Sequence, residues 1–210
     1  PLSTGHARKV PFYFGAEDWA TYLHLEDAYD LGASAYERYH RFAKPVFLGE
    51  DRYEQDRFNL DPQDMRYFQR RLFWAWLLAG GSADYGGRWW VVHPYTQTGQ
   101  REAVARWADA TRFTAPLQGL DSVPHIQRYF QDRRIELSDF EPDHNLASDP
   151  DGPGGMRAPK LMRRGADEYL VYHPNAADDG RAARVDRDKT PRLQLDLSAA
   201  AGSFRVEWYR

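Results

Sequence analysis

A short apolar run that ends in glycine and charge is the feature that most restricts the fold of this chain. Val46-Phe47-Leu48 is followed by Gly49 and then by a cluster of acidic and basic residues. A few apolar residues before a glycine are typical of a buried strand in a parallel sheet. The pattern therefore predicts a strand at Val46–Leu48 whose end carries carboxylates, of which Glu50 is the first.

A long helix and a second strand are predicted after this cluster. Asp61 suits the N-cap and Pro62 the first helical position, while Gly80-Gly81 ends the pattern. The apolar residues that recur at helical spacing are Met65, Phe68, Leu72 and Trp76. The next apolar run, Trp90-Val91-Val92, is the second strand candidate. Strand, helix and strand in this order predict an α/β fold.

Two more helices and a change of period organise the rest of the chain. Helices are predicted over 101–113 and 121–133, the second with Asp121 or Ser122 as its N-cap. Turn-forming residues predict a linker over 141–157, which separates a first domain, 1–140, from a second, 158–210. Short runs in the second domain alternate polar and apolar residues: "KLMRR", "EYLVYH", "RLQLDLS" and "SFRVEWYR". They predict a small antiparallel β-sandwich.

The composition excludes several kinds of function. Hydrophobic residues make up 42% and charged residues 28% of the chain, which indicates a soluble globular protein. The net charge is −3 without a long basic run, which argues against nucleic acid as a partner. The absence of cysteine excludes disulfides, thiolate nucleophiles and cysteine-ligated zinc. No apolar stretch of the sequence is long enough to predict a membrane span.

The charged cluster after the strand has two interpretations. It is either a solvated loop of mixed charge or a catalytic site at a strand end. In the second case Arg52 could keep Glu50 ionised by charge pairing, and Tyr53 could donate a hydrogen bond to it. An oriented, ionised carboxylate of this kind is suited to act as the nucleophile in glycoside hydrolysis.

The segment "KPVFLGEDRYE", followed by "YFQRRLFWAWLLAGGSADYGGRWW", resembles clan A glycoside hydrolases. Within that clan it is similar to the apiosidase-like group, whose barrels carry a C-terminal β domain named for collagen binding. "PLQGLDSVPHIQRYF" and "LQLDLSAAAGSFRVEWYR" also resemble segments of that group, so the resemblance covers most of the chain. It implies that 1–140 is the second half of a (β/α)8 TIM barrel and that the β domain follows it.

The resemblance also implies an activity and a site. The activity is a retaining O-glycosyl hydrolase that acts on plant or microbial polysaccharide or oligosaccharide, without a metal or organic cofactor, in a secreted or periplasmic protein. Glu50 is the implied nucleophile at the end of strand seven, and strand six falls within Ala20–Leu25. The residues implied to bind substrate or to neighbour it are His24, Arg52, Tyr53, Tyr85, Trp89 and Trp90. Asp84 and Tyr85 could reach the site, but "ADYGG" is equally explained as a simple turn.

The chain departs from this family in one respect. The acid/base of clan A follows strand four, usually in an Asn-Glu pair, and this sequence has no such pair. A full barrel needs about 250 residues, so we expect the acid/base and the first half-barrel to come from missing sequence or from self-association. The alternative function is a non-catalytic carbohydrate-binding or structural protein. The expected partner in either case is carbohydrate. Neither nucleic acid nor a membrane is expected as a partner.

Overall fold

The computed structural model describes residues 1–4, 12–26, 40–50, 62–84, 118–151, 158–174 and 192–209. For Glu50, residues 62–68, Gln118 and Leu120 it describes the backbone alone. Within these ranges the chain forms a parallel sheet, an antiparallel sheet, a smaller strand pair and two α-helices. No helix in these ranges is long and apolar enough to cross a membrane.

The predicted strand at Val46–Leu48 is confirmed, and it lies at the centre of a three-stranded parallel sheet. It extends to Glu50 as β2 (Val46–Glu50), between β1 (Leu23–Glu26) and β3 (Ser82–Ala83). Alternate residues of β1 and β2 are buried, because successive side chains of a strand point to opposite faces. The buried ones are Leu23, Leu25, Val46 and Leu48. One face of the sheet is therefore a core face.

Helix α1 (Pro62–Leu78) follows the sequence pattern at both ends. Proline occupies its first position, where the missing backbone N–H costs no hydrogen bond. After its last turn Gly80 has a φ of 89°, a left-handed conformation that glycine adopts without strain. The N–H of Gly81 donates to the Trp76 carbonyl at 2.9 Å, as in the Schellman motif. The two glycines therefore end α1 as predicted.

The apolar stripe of α1 covers the core face of the parallel sheet. Leu72 and Trp76 are fully buried, and Ala79 continues the row one turn later. All three pack in one cluster with the buried residues of β1 and β2. The side chains of Met65 and Phe68, predicted in the same stripe, lie outside the described residues. Because full burial of a large apolar side chain contributes about 1.5–3 kcal/mol, this layer holds helix and sheet together.

Strand β3 has no counterpart in the sequence prediction. The predicted strand at Trp90–Val92 lies outside the described residues, whereas β3 begins directly after Gly81. Two residues are too few to show a period, so only the backbone of β2 beside them makes them a strand. A Cβ atom at Gly81 would lie 2.8 Å from the Trp76 ring, so glycine permits this close approach of strand to helix.

Helix α2 (Val123–Arg133) confirms the helix predicted over 121–133. Ser122 occupies the N-cap position and a proline follows in the first turn. The helix ends at Arg134, whose φ of 52° is left-handed. The helix predicted over 101–113 lies outside the described residues.

The segments "KLMRR" and "EYLVYH" form a predicted antiparallel pair. They are the strands that we label β6 (Lys160–Arg164) and β7 (Glu168–Tyr172), and all five residues of each strand are paired. Gly165, with a φ of 59°, lies in the turn between them. Alternation of polar and apolar residues was therefore a reliable signal where two such runs are joined by a short turn.

Part of the segment predicted as a linker belongs to strand pairs. The strand β4 (Glu141–Pro142) pairs with β6, which makes the antiparallel order β4-β6-β7. The strand β5 (Ala147–Ser148) pairs with β8 (Gln194–Leu195). Turn formers indicate where a chain bends, and they do not exclude short ladders between the bends.

The C-terminal run "SFRVEWYR" does not form the strand pair that its alternation predicts. Among the described residues, 203–209 have no backbone hydrogen-bond partner, and all seven are exposed. A ladder needs a neighbouring strand at about 4.8 Å as well as an alternating sequence. "RLQLDLS" is paired only at Gln194–Leu195. The sandwich and the barrel stay predictions.

Helix α1 contacts both sheets. Its residues Trp74, Leu77 and Leu78 pack in a second cluster, on the side away from the parallel sheet. The antiparallel region contributes to that cluster Phe140, Met162, Leu170 and Tyr172. Arg71 of α1 is 1% exposed, and its Nε donates to the carbonyl of Pro174, just beyond β7, at 2.9 Å. Residues of the predicted second domain therefore pack against a helix of the predicted first domain.

Candidate functional site

Three acidic residues lie at the carboxyl ends of the three parallel strands. Glu50 is the last residue of β2 and Glu26 is the last residue of β1. The register pairs these two directly, after an irregularity between Leu25 and Glu26. Asp84 follows β3, and its N–H donates to the Leu48 carbonyl of β2 at 2.8 Å. Because the strands run in the same direction, these residues share one edge of the sheet.

Solvent reaches this edge at Asp84. Glu26 is half-buried and Asp84 is exposed. Neighbouring strands are about 4.8 Å apart, so the backbone brings Glu26 and Asp84 close to Glu50 from either side. Ligands of parallel α/β sheets bind outside the carboxyl ends of the strands, which makes this edge the candidate site.

His24 and Gly49 fit against each other beside the same edge. The His24 ring centroid is 5.7 Å from that of Phe47, on the face of the sheet opposite the buried leucines. A Cβ atom at Gly49 would overlap the His24 imidazole at Nε2. Only glycine therefore lets this histidine lie across β2, one residue before Glu50.

The Nε2 atom of His24 is buried without a hydrogen-bond partner among the described residues. Leaving a buried polar atom unpaired costs about 1–3 kcal/mol. Ser3 Oγ and His144 Nε2 are in the same state, so it is the position of His24 beside Glu50, and not the unpaired atom alone, that points to this edge.

The structure brings together two of the site residues predicted from sequence, His24 and the backbone of Glu50. The other predicted ones lie outside the described residues: Arg52, Tyr53, Tyr85, Trp89 and Trp90. Sequence reasoning missed Glu26, whereas it named Asp84 as a residue that could reach the site. The signal for Glu26 was present, since "LHLE" alternates like a half-buried strand and ends in a carboxylate.

Two half-buried histidines of the antiparallel region contact other protein atoms, although Nε2 of His144 has no hydrogen-bond partner among the described residues. The Leu161 N–H donates to Nδ1 of His144 at 3.0 Å. Burial and the nearby Lys160 ammonium lower the pKa of His144 to about 4, so its ring is neutral at pH 7. His173 Nε2 lies 3.0 Å from Asp149 Oδ2. No group of three or more metal-ligating side chains in the described ranges is placed to hold an ion.

No family model matches the chain, and no curated protein or solved structure matches it. A functional proposal therefore depends on the geometry of the strand ends and on the motif resemblance described above.

Proposed function

We propose that this chain is the nucleophile-bearing part of a retaining glycoside hydrolase with a (β/α)8 barrel of clan A type, followed by an antiparallel β domain. The observation that carries the proposal is the position of Glu50 at the carboxyl end of the central strand of three parallel ones. Barrel enzymes place their catalytic residues at this end of the strands. Helix α1 covers the opposite face of the sheet from His24, as the outer helices of a barrel do.

In the proposed reaction the Glu50 carboxylate attacks the anomeric carbon of a plant or microbial polysaccharide or oligosaccharide. An ester bond forms while the glycosidic C–O bond breaks, and a second carboxyl group protonates the leaving oxygen. Water then attacks the same carbon and gives its proton to the second carboxylate. Glu50 leaves as a carboxylate, and the configuration of the sugar is retained.

The second carboxyl group has candidates within this chain. Retaining enzymes hold their two carboxyl groups about 5–5.5 Å apart, which is close to the strand spacing of about 4.8 Å. Glu26 matches best, because it pairs in register with Glu50 and is half-buried. Asp84 on the other side is the second candidate. The resemblance to clan A implies a third source, a residue after strand four outside this sequence.

His24 is proposed as a positioning residue. Its Nε2 is buried against Gly49, which supports packing of the ring on the β2 backbone. The imidazole restricts the β2 backbone next to Glu50. This supports a nucleophile whose direction is set by the strand and by the ring beside it.

The test is covalent trapping of the nucleophile. The chain is treated with a panel of dinitrophenyl 2-deoxy-2-fluoroglycosides that differ in the sugar. The dinitrophenolate leaves without protonation, so trapping does not require the general acid. Mass spectrometry of the protein and its peptides should show one added fluorosugar, on Glu50, with the effective member of the panel.

The controls are two glutamine variants. Glu50→Gln should not be labelled, whereas Glu136→Gln, at an exposed glutamate, should be labelled like the unchanged protein. Label on another residue would overturn the nucleophile assignment. A folded protein that binds a sugar of the panel but is never labelled would favour the non-catalytic alternative.

A further inference from the structure

The segment Ser203–Tyr209 has the alternation of a strand and an open backbone. None of its N–H or carbonyl groups bonds to another backbone group among the described residues. Val206 is 71% and Trp208 81% exposed, and Phe204 is partly exposed. Unpaired strand-like backbone beside exposed apolar side chains is a template for pairing with another chain.

Glu207 and Tyr209 hold this segment against helix α2. The Arg133 guanidinium donates to Glu207 at 2.6 Å. The Tyr209 ring lies 4.8 Å from the Tyr129 ring, and its hydroxyl donates to the His125 carbonyl at 3.3 Å. On the other face the Phe204 ring lies 5.8 Å from the Tyr169 ring of β7, while Val206 and Trp208 remain uncovered.

The sequence of the segment is complementary to itself when it is read antiparallel about its centre. With Val206 opposite Val206, Phe204 lies opposite Trp208 and Arg205 lies opposite Glu207. Each opposite-charge and aromatic pair in such positions contributes about 0.2–1 kcal/mol. Arg205 lies 3.6 Å from Glu207 of its own chain, but its side chain is 90% exposed, so it can exchange this contact for the Glu207 of a neighbouring strand.

The neighbouring registers are less favourable. A slip by two residues in one direction places Arg205 opposite Arg205, and in the other direction it places Glu207 opposite Glu207. Like charges directly opposite each other destabilise a strand pair. A slip by one residue turns the apolar side chains of one strand to the other face. The charges of the segment therefore select the register centred on Val206.

We propose that Ser203–Tyr209 is a dimerisation strand, which pairs antiparallel with the same segment of a second copy about a two-fold axis at Val206. The interface is isologous, since each Arg205 meets the Glu207 of the other copy and each Phe204 meets the other Trp208. The second copy is favoured over another occupant because the charges match those of the segment itself. This inference is independent of the proposed glycosidase activity.

Single cysteines test the pairing directly, because the chain contains no cysteine. In Val206→Cys the two sulfur-bearing residues face each other, at Cα distances of about 4.5–5.5 Å that allow a disulfide. In the control Ser203→Cys each cysteine faces Tyr209, and the two cysteines lie about 20 Å apart along the pair. With oxidised glutathione, Val206→Cys should form covalent dimer at least about tenfold faster than the control, because pairing raises the effective concentration of the thiols.

Charge exchange tests the register. Arg205→Glu and Glu207→Arg should each be monomeric in sedimentation velocity, whereas an equimolar mixture should form a heterodimer, since every facing pair is then of opposite charge. Arg133→Gln is the control for loss of the contact between Glu207 and α2, and it should still dimerise. Circular dichroism verifies that each variant is folded.

Three results would overturn the proposal. The first is a monomer for the unchanged chain at about 100 μM, where a functional strand pair of micromolar affinity would be dimeric. The second is equal cross-linking of the two cysteine variants. The third is a monomeric Val206→Cys variant whose thiol does not react with maleimide. Another part of the same chain would then cover the strand.

Discussion

Gly49 on β2 leaves the space that His24 on β1 occupies. The imidazole lies where a Cβ atom of residue 49 would be, and it tilts by 43° against the Phe47 ring. The pair connects the two strands whose last residues are Glu26 and Glu50. The relationship is steric, so it can be tested by adding and removing single side chains.

Gly49→Ala should lower the free energy of unfolding by about 1–3 kcal/mol, because an extra methyl group in a filled space forces its neighbours to shift. The variant Gly49→Ala/His24→Ala should recover most of this loss, since the ring that clashes is gone. Urea denaturation of the four proteins in this cycle gives the coupling between the two positions. Strictly additive losses would show that the two side chains do not compete for the same space.

Arg71→Met should uncouple the antiparallel region from helix α1. The Pro174 carbonyl loses its buried donor, and leaving such an acceptor unpaired costs about 1–3 kcal/mol. Hydrogen exchange should become faster in β7, which ends two residues before Pro174. The control is Arg134→Met at an exposed arginine, which should change stability by less than about 0.5 kcal/mol. Equal effects of the two substitutions would contradict this role of Arg71.

His144 should make the protein less stable in acid. Its pKa is about 4 in the folded chain against 6.5 for the free side chain, so the unfolded chain binds its proton first. The free energy of unfolding should therefore fall as the pH decreases from about 6.5 to about 4, and this contribution should then level off. We expect a decrease of about 1–2 kcal/mol from this group, since solvent screens part of the effect.

The comparison for this pH dependence is His144→Asn. Its side-chain oxygen can still accept the Leu161 N–H, but it does not titrate. Denaturation curves at closely spaced pH values should show that the variant lacks the decrease between pH 6.5 and 4. The same decrease in both proteins would mean that another group causes it.

Glu26→Gln tests the second carboxyl group of the proposed hydrolase. If Glu26 protonates the leaving oxygen, turnover of aryl glycosides with poor leaving groups should fall by about 10²–10⁴-fold. Turnover of dinitrophenyl glycosides should fall much less, and added azide should restore it and yield a glycosyl azide. Asp84→Asn is the parallel variant for the other flanking strand. If neither variant shows this leaving-group dependence, the acid/base lies elsewhere.

Local sequence was enough to predict the elements whose signals are contained in consecutive residues. Helix α1 has proline at its start, an apolar stripe, and the glycine pair at its end, and each of these acts within one or two turns. Strand β2 has an apolar run with a defined end, and β6 and β7 alternate on both sides of a short turn. In these cases the backbone preference and the burial pattern agree, so the sequence by itself determined the element.

Tertiary structure decided everything that depends on a distant neighbour. Strand β3 exists because two residues lie beside β2, and Glu141–Pro142 is a strand because it lies beside β6. The residues 203–209 show the converse, since they alternate well but have no adjacent backbone among the described residues. Hydrogen bonding in a sheet is made between segments, so a sequence pattern states a tendency to pair and cannot name the partner.

The candidate site divides in the same way. The sequence predicted Glu50, because an apolar run with a clear end places it at the end of a strand, and it predicted His24 only through the resemblance. The register of β1 on β2 and the backbone contact of Asp84 with Leu48 are what bring Glu26 and Asp84 to the same edge. A catalytic pair requires two groups about 5 Å apart, and distances between residues far apart in the chain arise only when the strands that carry them assemble.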